Sequence, residues 1–349
     1  MTLLAVKNLY IKYHTKKGAI NVVNDISFDL KKGESLGLVG ESGCGKTTLA
    51  KSIMKLLPEN GKISEGQVIF QGEDIVPKNK EEIRKLRLKE IAMVSQSAMN
   101  ALNPVYTVGD QLVEGILAHT KMSKKQAWKR AEEVFEIIGL EKKRLKSYPH
   151  QMSGGMKQRA IIAMALTLEP SLIIADEPTT ALDVVVQDKI LSTVVEIQKQ
   201  INSSMIFITH DLSVVSEVCE TIIVMYAGSI MEKAKTKIFF REPYHPYSLG
   251  LKNAFPSITE IGEDLISIPG APPNLIGELA GCPFQGRCPF RTELCMKEHP
   301  SLIEVDEDHL IACHYPEKVE EFRRDSKKRE TWERVRERLI REEGGVSND

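Results

Sequence analysis

The chain has 349 residues, 42% of them hydrophobic and 27% charged, with a formal net charge of -1 at pH 7. This is an ordinary globular composition, long enough for one large domain plus an appendage, and its charge balance gives no global attraction to nucleic acid. No segment approaches the ~18 apolar residues that span a bilayer, and the opening MTLLAVKNLYIKYH lacks the n-region and h-region of a secretory signal, so secretion is not expected.

Residues 3–37 alternate in the manner of an antiparallel sheet. Leu4-Ala5-Val6, Asn24-Asp25-Ile26-Ser27-Phe28 and Ser35-Leu36-Gly37-Leu38-Val39 are its expected strands, with Lys-Lys-Gly turns at 16–18 and 31–33. Then comes Gly40-Glu41-Ser42-Gly43-Cys44-Gly45-Lys46-Thr47, a complete G-x-x-x-x-G-K-T between an apolar run and a helix-like stretch over 47–55. The glycines let backbone wrap a polyphosphate, and the following helix turns free N–H groups and its positive dipole end toward it. Gly40, Ser42, Gly43, Cys44, Gly45 and Thr48 are the expected phosphate contacts. Lys46 reaches the β- and γ-phosphates and Thr47 ligates Mg²⁺. The chain is therefore expected to bind a nucleoside triphosphate.

Further strands are predicted over 66–72 and 91–96. From about 107 to 168 the periodicity becomes helical, with Val108, Gln111, Leu112, Gly115 and Ile116 on one apolar face and Ala131, Val134, Phe135 and Ile138 on another. Within this stretch Ser153-Gly154-Gly155-Met156 opens a long helix reaching 168; Ser153 is a good N-cap and the glycines allow close approach of an anion. Strand patterns return at 172–175, 205–209 and 221–226. The first of these ends in Asp176-Glu177, where Asp176 can hold Mg²⁺ and Glu177 can act as general base on water. His210 ends the next strand and can contact the γ-phosphate and orient that water; alone it would read as an ordinary satisfied histidine.

In this order the motifs resemble the nucleotide-binding subunit of an ATP-binding-cassette (ABC) transporter, over residues 1 to about 235. The resemblance implies an α/β fold: a P-loop, RecA-like core with an antiparallel β subdomain and a helical insertion (about 97–168) within a cassette of 1–237. It also implies that Tyr13 stacks on adenine, that Gln96 senses Mg²⁺ and the attacking water, and that residues 153–156 are a signature loop closing on the partner's ATP. Residues 180–183 resemble the loop that crosses the dimer interface, and a groove near 97–102 is expected to receive a helix of a membrane subunit. Met156 departs from the glutamine common at its position, which puts ribose contacts in doubt. Met156 and the run 244–256 (YHPYSLGLKNAFP) resemble the dipeptide and oligopeptide importer branch, which also contains nickel importers.

Residues 238–316 are expected to form a proline- and cysteine-rich small C-terminal domain, and 317–349 a charged tail, read as a solvated helix. Cys282, Cys288, Cys295 and Cys313 follow C-x5-C-x6-C-x17-C, without the C-x2–4-C pairs of zinc sites. Thiolates in wider loops beside prolines suit an iron–sulfur cluster, though the spacing is no standard ferredoxin run. Zn²⁺ and free thiols stay open as alternatives; in the importer branch such a cluster is taken to hold [4Fe–4S]. Cys44, at a helix N-terminus, is either a thiol of lowered pKa or a small loop filler.

The expected cofactors are thus ATP, Mg²⁺ and a [4Fe–4S] cluster. The expected function is ATP hydrolysis that powers peptide uptake, at the cytoplasmic face of the cell membrane as a peripheral subunit. Expected partners are a second, paralogous ATPase subunit, two transmembrane permease subunits and an extracytoplasmic peptide-binding protein. A non-transport ABC protein acting on DNA or ribosomes is the rival reading. It lacks the usual second phosphate loop, sustained heptads or basic excess, and no aromatics interleave the basic run 84–89, so no nucleic acid is expected as a partner.

Overall fold

The computed structural model describes residues 1–95, 101–178, 184–254, 266–277 and 279–344, with the side chains at 184–186, 189 and 343–344 excepted. Gln96, the interface loop at 180–183, residues 97–100 of the expected groove and Phe255-Pro256 lie outside the described residues.

Two long strands, β1 (Thr2–Thr15) and β2 (Gly18–Lys31), form a hairpin through the first Lys-Lys-Gly turn. β4 (Gly61–Phe70) and β5 (Glu73–Asp74) complete an antiparallel sheet of order β2-β1-β4-β5. The third expected strand is not part of it. β3 (Ser35–Val39) lies in the second sheet, parallel to both its neighbours, β8 (Ser204–Ile208) and β9 (Thr221–Tyr226). All five β3 residues are buried, so it reads as a continuous apolar run, the mark of a strand covered on both faces. β6 (Ile91–Val94) and β7 (Leu172–Asp176) extend that parallel core beyond β8.

The parallel strands feed helices α1 (Lys46–Ile53), α6 (Val184–Gln200) and α7 (Leu212–Val218), while α2 (Lys80–Leu86) precedes β6. The helical insertion is built from α3 (Val108–His119), α4 (Lys124–Ile137) and α5 (Gly154–Leu166). Each starts at a hydroxyl cap: Thr107 accepts from Asp110 N–H, Ser123 forms a capping box with Gln126, and Ser153 accepts from Met156 N–H. Val108, Leu112, Val113 and Ile116 pack with Ala131, Val134 and Phe135, as the periodicity predicts. Gln111 instead turns to the preceding loop, where its amide group bonds both the N–H and the carbonyl of Asn103.

The C-terminal region is continuous with the cassette and does not form a small domain with its own core. β10 (Ser229–Lys235) pairs with β9 on one side and with β12 (His309–Ile311) on the other, and β11 (Ile303–Asp306) closes that edge of the sheet. Between them run α8 (Thr236–Arg241), α9 (Pro246–Asn253) and α10 (Glu293–Lys297). Cys282, Phe284, Cys288 and Cys295 join the same hydrophobic cluster as Phe207, Val224 and Tyr226 of the parallel sheet. At the seam, fully buried Glu232 of β10 accepts the N–H groups of Tyr244 and His245, both at 2.9 Å, and lies 2.7 Å from His309 Nε2. Such a carboxylate is retained in a core because its lone pairs are occupied.

The charged tail differs from a solvated helix. Its two helices, α11 (Val319–Ser326) and α12 (Arg329–Gly344), bury Phe322, Trp332 and Val335. The Trp332 indole N–H donates to the Ser326 carbonyl at 2.8 Å. Abundant Lys, Arg and Glu mask a narrow apolar stripe at 322, 332 and 335, which composition alone does not reveal. Among the described residues no helix is long and apolar enough to cross a membrane.

Candidate nucleotide site

The C-terminal ends of the parallel strands gather the site. In the sheet register Leu38 pairs with Ile208, and Ile208 with Asp176. The loops that follow β3, β7 and β8 therefore emerge side by side on one edge, where open α/β sheets bind ligands. The phosphate loop leaves β3 there and turns into α1. Two of its glycines are required sterically: a Cβ on Gly40 (φ +148°) would lie 2.1 Å from the Met225 carbonyl oxygen, and one on Gly45 (φ +107°) 2.6 Å from that of Val22.

Lys46 is buried, and its ammonium donates to the carbonyls of Gly40 (2.8 Å) and Glu41 (2.9 Å), which holds it at the centre of the loop. Ser42 and Gly43 are exposed at the loop's tip. Thr47 Oγ1 bonds Asp176 Oδ1 at 3.1 Å, although the two are 129 residues apart. Asp176 is buried, and burial pushes its carboxyl above the ordinary range while the Thr47 hydroxyl pulls it back. A hard-oxygen pair of this kind, beside a phosphate loop, fits Mg²⁺. Half-buried Tyr13 places its hydroxyl 3.1 Å from Thr48 Oγ1, at the start of α1.

Glu177 follows directly. Its backbone is left-handed (φ +47°), unusual for a residue with a Cβ, and is held there by its N–H donating to the Ile208 carbonyl at 2.8 Å. Its Oε1 lies 3.1 Å from His210 Nδ1. The pair thus faces the same strand edge as Lys46 and Thr47. Helix α5 reaches this edge as well: its buried Gln158 donates its amide to the carbonyl of Pro178, the residue after Glu177.

Three matches bear on this arrangement. The family "ABC transporter" matches residues 23–180, "P-loop domain" 134–258, and "Oligopeptide/dipeptide transporter, C-terminal region" 231–295. The oligopeptide transport ATP-binding protein OppD of Escherichia coli (strain K12) is 46% identical over 92% of this chain and 94% of its own. The chain belongs to the oligopeptide/dipeptide branch of ABC transporter ATP-binding proteins. The dipeptide transport ATP-binding protein DppD of Bacillus subtilis (strain 168) is 45% identical over 89% of this chain and 93% of its own. A solved ATP-binding cassette, dimeric and bound to ADP and Pi in a post-hydrolysis state, is 29% identical with a TM-score of 0.61, over 67% of this chain and 98% of that one.

As an ABC ATPase, the chain binds ATP. Ser153 to Met156 form an N-cap: Ser153 Oγ accepts from Met156 N–H at 3.4 Å, with Gly154 and Gly155 between them in the first turn. Met156 is half-buried against the apolar core, so its side chain packs where a glutamine would seek polar partners. Cys44 is 2% exposed, and burial pushes its thiol up despite Lys46 nearby. It fills the loop, and burial outweighs the lowering that a helix N-terminus and Lys46 would bring.

The four C-terminal cysteines line one small cavity with Phe284, Phe290, Phe322 and Tyr315. Burial pushes Cys282 up to about 12, Cys313 up to about 11, and Cys288 well above its usual value. Backbone N–H groups two residues on oppose this, from Phe284 to Cys282, Phe290 to Cys288 and Tyr315 to Cys313. The Thr292 hydroxyl is 3.5 Å from Cys295 Sγ. Among the described residues no group of three His, Cys, Asp or Glu side chains is placed to hold a metal ion. Sequence reasoning missed two contacts altogether: Tyr247 and Arg287 both bond Glu41 of the phosphate loop. Arg287 lies between Cys282 and Cys288, with no local pattern that marks it.

Proposed function

We propose that this chain is the ATP-hydrolysing subunit that powers di- and oligopeptide uptake through a membrane ABC importer, bound peripherally at the cytoplasmic face. The single observation that carries the catalytic half is the convergence of Lys46, Thr47–Asp176 and Glu177–His210 on one sheet edge. Lys46, Gly40 and the loop amides of 42–48 hold the phosphates; Thr47 and Asp176, with Gln96, hold Mg²⁺, which when bound neutralises charge between the phosphates. Glu177 takes a proton from the attacking water, and His210 orients Glu177 and the γ-phosphate. Tyr13 stacks on the adenine.

Residues 153–156 meet the ATP of a second, paralogous ATPase subunit. The pair drives two permease subunits fed by an extracytoplasmic peptide-binding protein. The peptide half rests on the names of the relatives and on the matched C-terminal region. Reconstitution in proteoliposomes with a permease pair, a second ATPase subunit and a binding protein from the same cell tests it. Hydrolysis should rise when the binding protein carries an oligopeptide, and a rise with Ni²⁺ but not peptide would contradict it.

The cysteines hold a [4Fe–4S] cluster in this reading. Four cysteines lining one small cavity, three with backbone N–H donors and Cys295 within 3.5 Å of the Thr292 hydroxyl, are the kind of support that thiolates on a polynuclear group use. Bound iron supplies the positive charge that draws buried thiols to thiolate.

A further inference from the structure

We propose that Arg287, carried by the loop between Cys282 and Cys288, is a positioning residue of the phosphate loop, and that its task is to neutralise Glu41. Arg287 Nη1 donates to both Glu41 carboxylate oxygens, at 3.0 and 2.8 Å, and to the Tyr226 hydroxyl at 3.2 Å. Nε donates to the Pro269 carbonyl at 2.9 Å and Nη2 to that of Ile268 at 3.3 Å. The side chain is 6% exposed, so the fork is preset and shielded from water.

A second element of the C-terminal region grips the same residue. The Glu41 N–H donates to the Tyr247 hydroxyl at 3.1 Å, so that amide is committed to α9 and the turn begins from a fixed point. Tyr226, Tyr247 and Phe284 pack against one another at centroid distances of 4.7 to 5.2 Å, which ties this grip to the Cys-Pro-Phe turn that carries Arg287. Glu41 in turn presents its carbonyl to Lys46.

The chemistry of the ligand explains why the pair matters. A carboxylate on the second residue of a phosphate-binding loop repels a polyanion, the more so where walls exclude water. Paired with Arg287 it contributes no net charge and still anchors the loop. The cysteine-bearing region thereby reaches into nucleotide affinity itself, beyond any role as a staple of its own fold. The inference rests on the nucleotide-site reading above.

The test is a double-mutant cycle read by equilibrium binding of a fluorescent ATP analogue with Mg²⁺, beside the thermal midpoint of each protein without nucleotide. Arg287→Met should weaken binding about tenfold, the effect of one uncompensated charge, while kcat at saturation changes less than about threefold. Arg287→Lys, which keeps the charge but not the fork, should fall between. In the Glu41→Gln background the same Arg287→Met change should cost less than about twofold, because the carboxylate it served is gone. Equal losses in both backgrounds, or parent-like binding by Arg287→Met, would overturn the proposal.

Should Arg287→Met not fold, the comparison of Glu41→Gln with Glu41→Gln/Arg287→Met decides it. Matching affinities support neutralisation, and a double variant about ten times weaker refutes it. Absence of binding by the parent overturns the site reading and this inference together, whereas an intact parent with additive variants overturns this inference alone.

Discussion

Thr47 Oγ1 and Asp176 Oδ1 lie 3.1 Å apart, joined across the parallel sheet by strands β3 and β7 with β8 between them. Because burial raises the Asp176 carboxyl, protonation begins at a higher pH than for a free aspartate, whose value is about 3.9. The sign follows: the protonated form is favoured by folding and gains as pH falls, whereas Mg²⁺ needs the carboxylate and loses. The Mg²⁺ dependence of nucleotide affinity should therefore weaken as acid titrates the raised carboxyl, and Asp176→Asn should weaken it at neutral pH already. Magnesium titrations of the parent and Asp176→Asn at neutral pH check this, and equal Mg²⁺ affinity in the two would count against Asp176 as a ligand.

His210 is the exposed member of the pair with Glu177, its side chain 67% accessible against 16% for the carboxylate. Its removal should spare the fold and change the chemistry. His210→Ala is expected to lower kcat roughly 100-fold, with the thermal midpoint unchanged and nucleotide affinity within about threefold. Single-turnover hydrolysis beside equilibrium binding separates the two effects. A loss confined to KM would make His210 a binding group only.

The cysteine cavity makes a spectroscopic prediction. Anaerobic purification or reconstitution with iron and sulfide should give a brown protein with about four iron and four sulfide per chain, for a [4Fe–4S] group. Cys288→Ser should lose it, because the Cys288 sulfur is enclosed and has a backbone donor. Stoichiometric zinc in place of iron, from cells grown with both, would assign the site to the smaller ion.

Trp332 tests whether the tail belongs to the fold. It is 3% exposed, and a Cβ on Gly250 of α9 would come within 2.8 Å of its ring, so the contact is close. Trp332→Ala should cost about 3–5 kcal/mol in denaturant unfolding, as for other buried large side chains. Ile340, 63% exposed on the same helix, should cost less than about 0.5 kcal/mol when cut to alanine. Equal costs would mean that the tail is not docked.

Most of the site was legible because its chemistry is local in sequence. Gly40 to Thr47 carry their own turn and helix end, and Asp176-Glu177 end an apolar run that only a strand explains. What joins them was legible only as order, since the pairing of Leu38, Ile208 and Asp176 is set by the sheet. Ser35 to Val39 reads in sequence as a strand of the antiparallel sheet but lies in the parallel one, because a five-residue run cannot show whether one face or two are covered. The long-range polar contacts were invisible. Arg287 and Glu41 are 246 residues apart, and neither has a local pattern that names the other. The buried face of α12 was hidden for a different reason, its charges outnumbering the few residues that pack.

In the proposed mechanism Glu177 is the group that activates water. The direct measurement is ATP turnover by Glu177→Gln, paired with retained nucleotide in the same protein. Hydrolysis should fall at least 100-fold, roughly what a positioned general base contributes, while Mg-ATP stays bound and holds the two ATPase subunits together. Turnover equal to the parent's would contradict it.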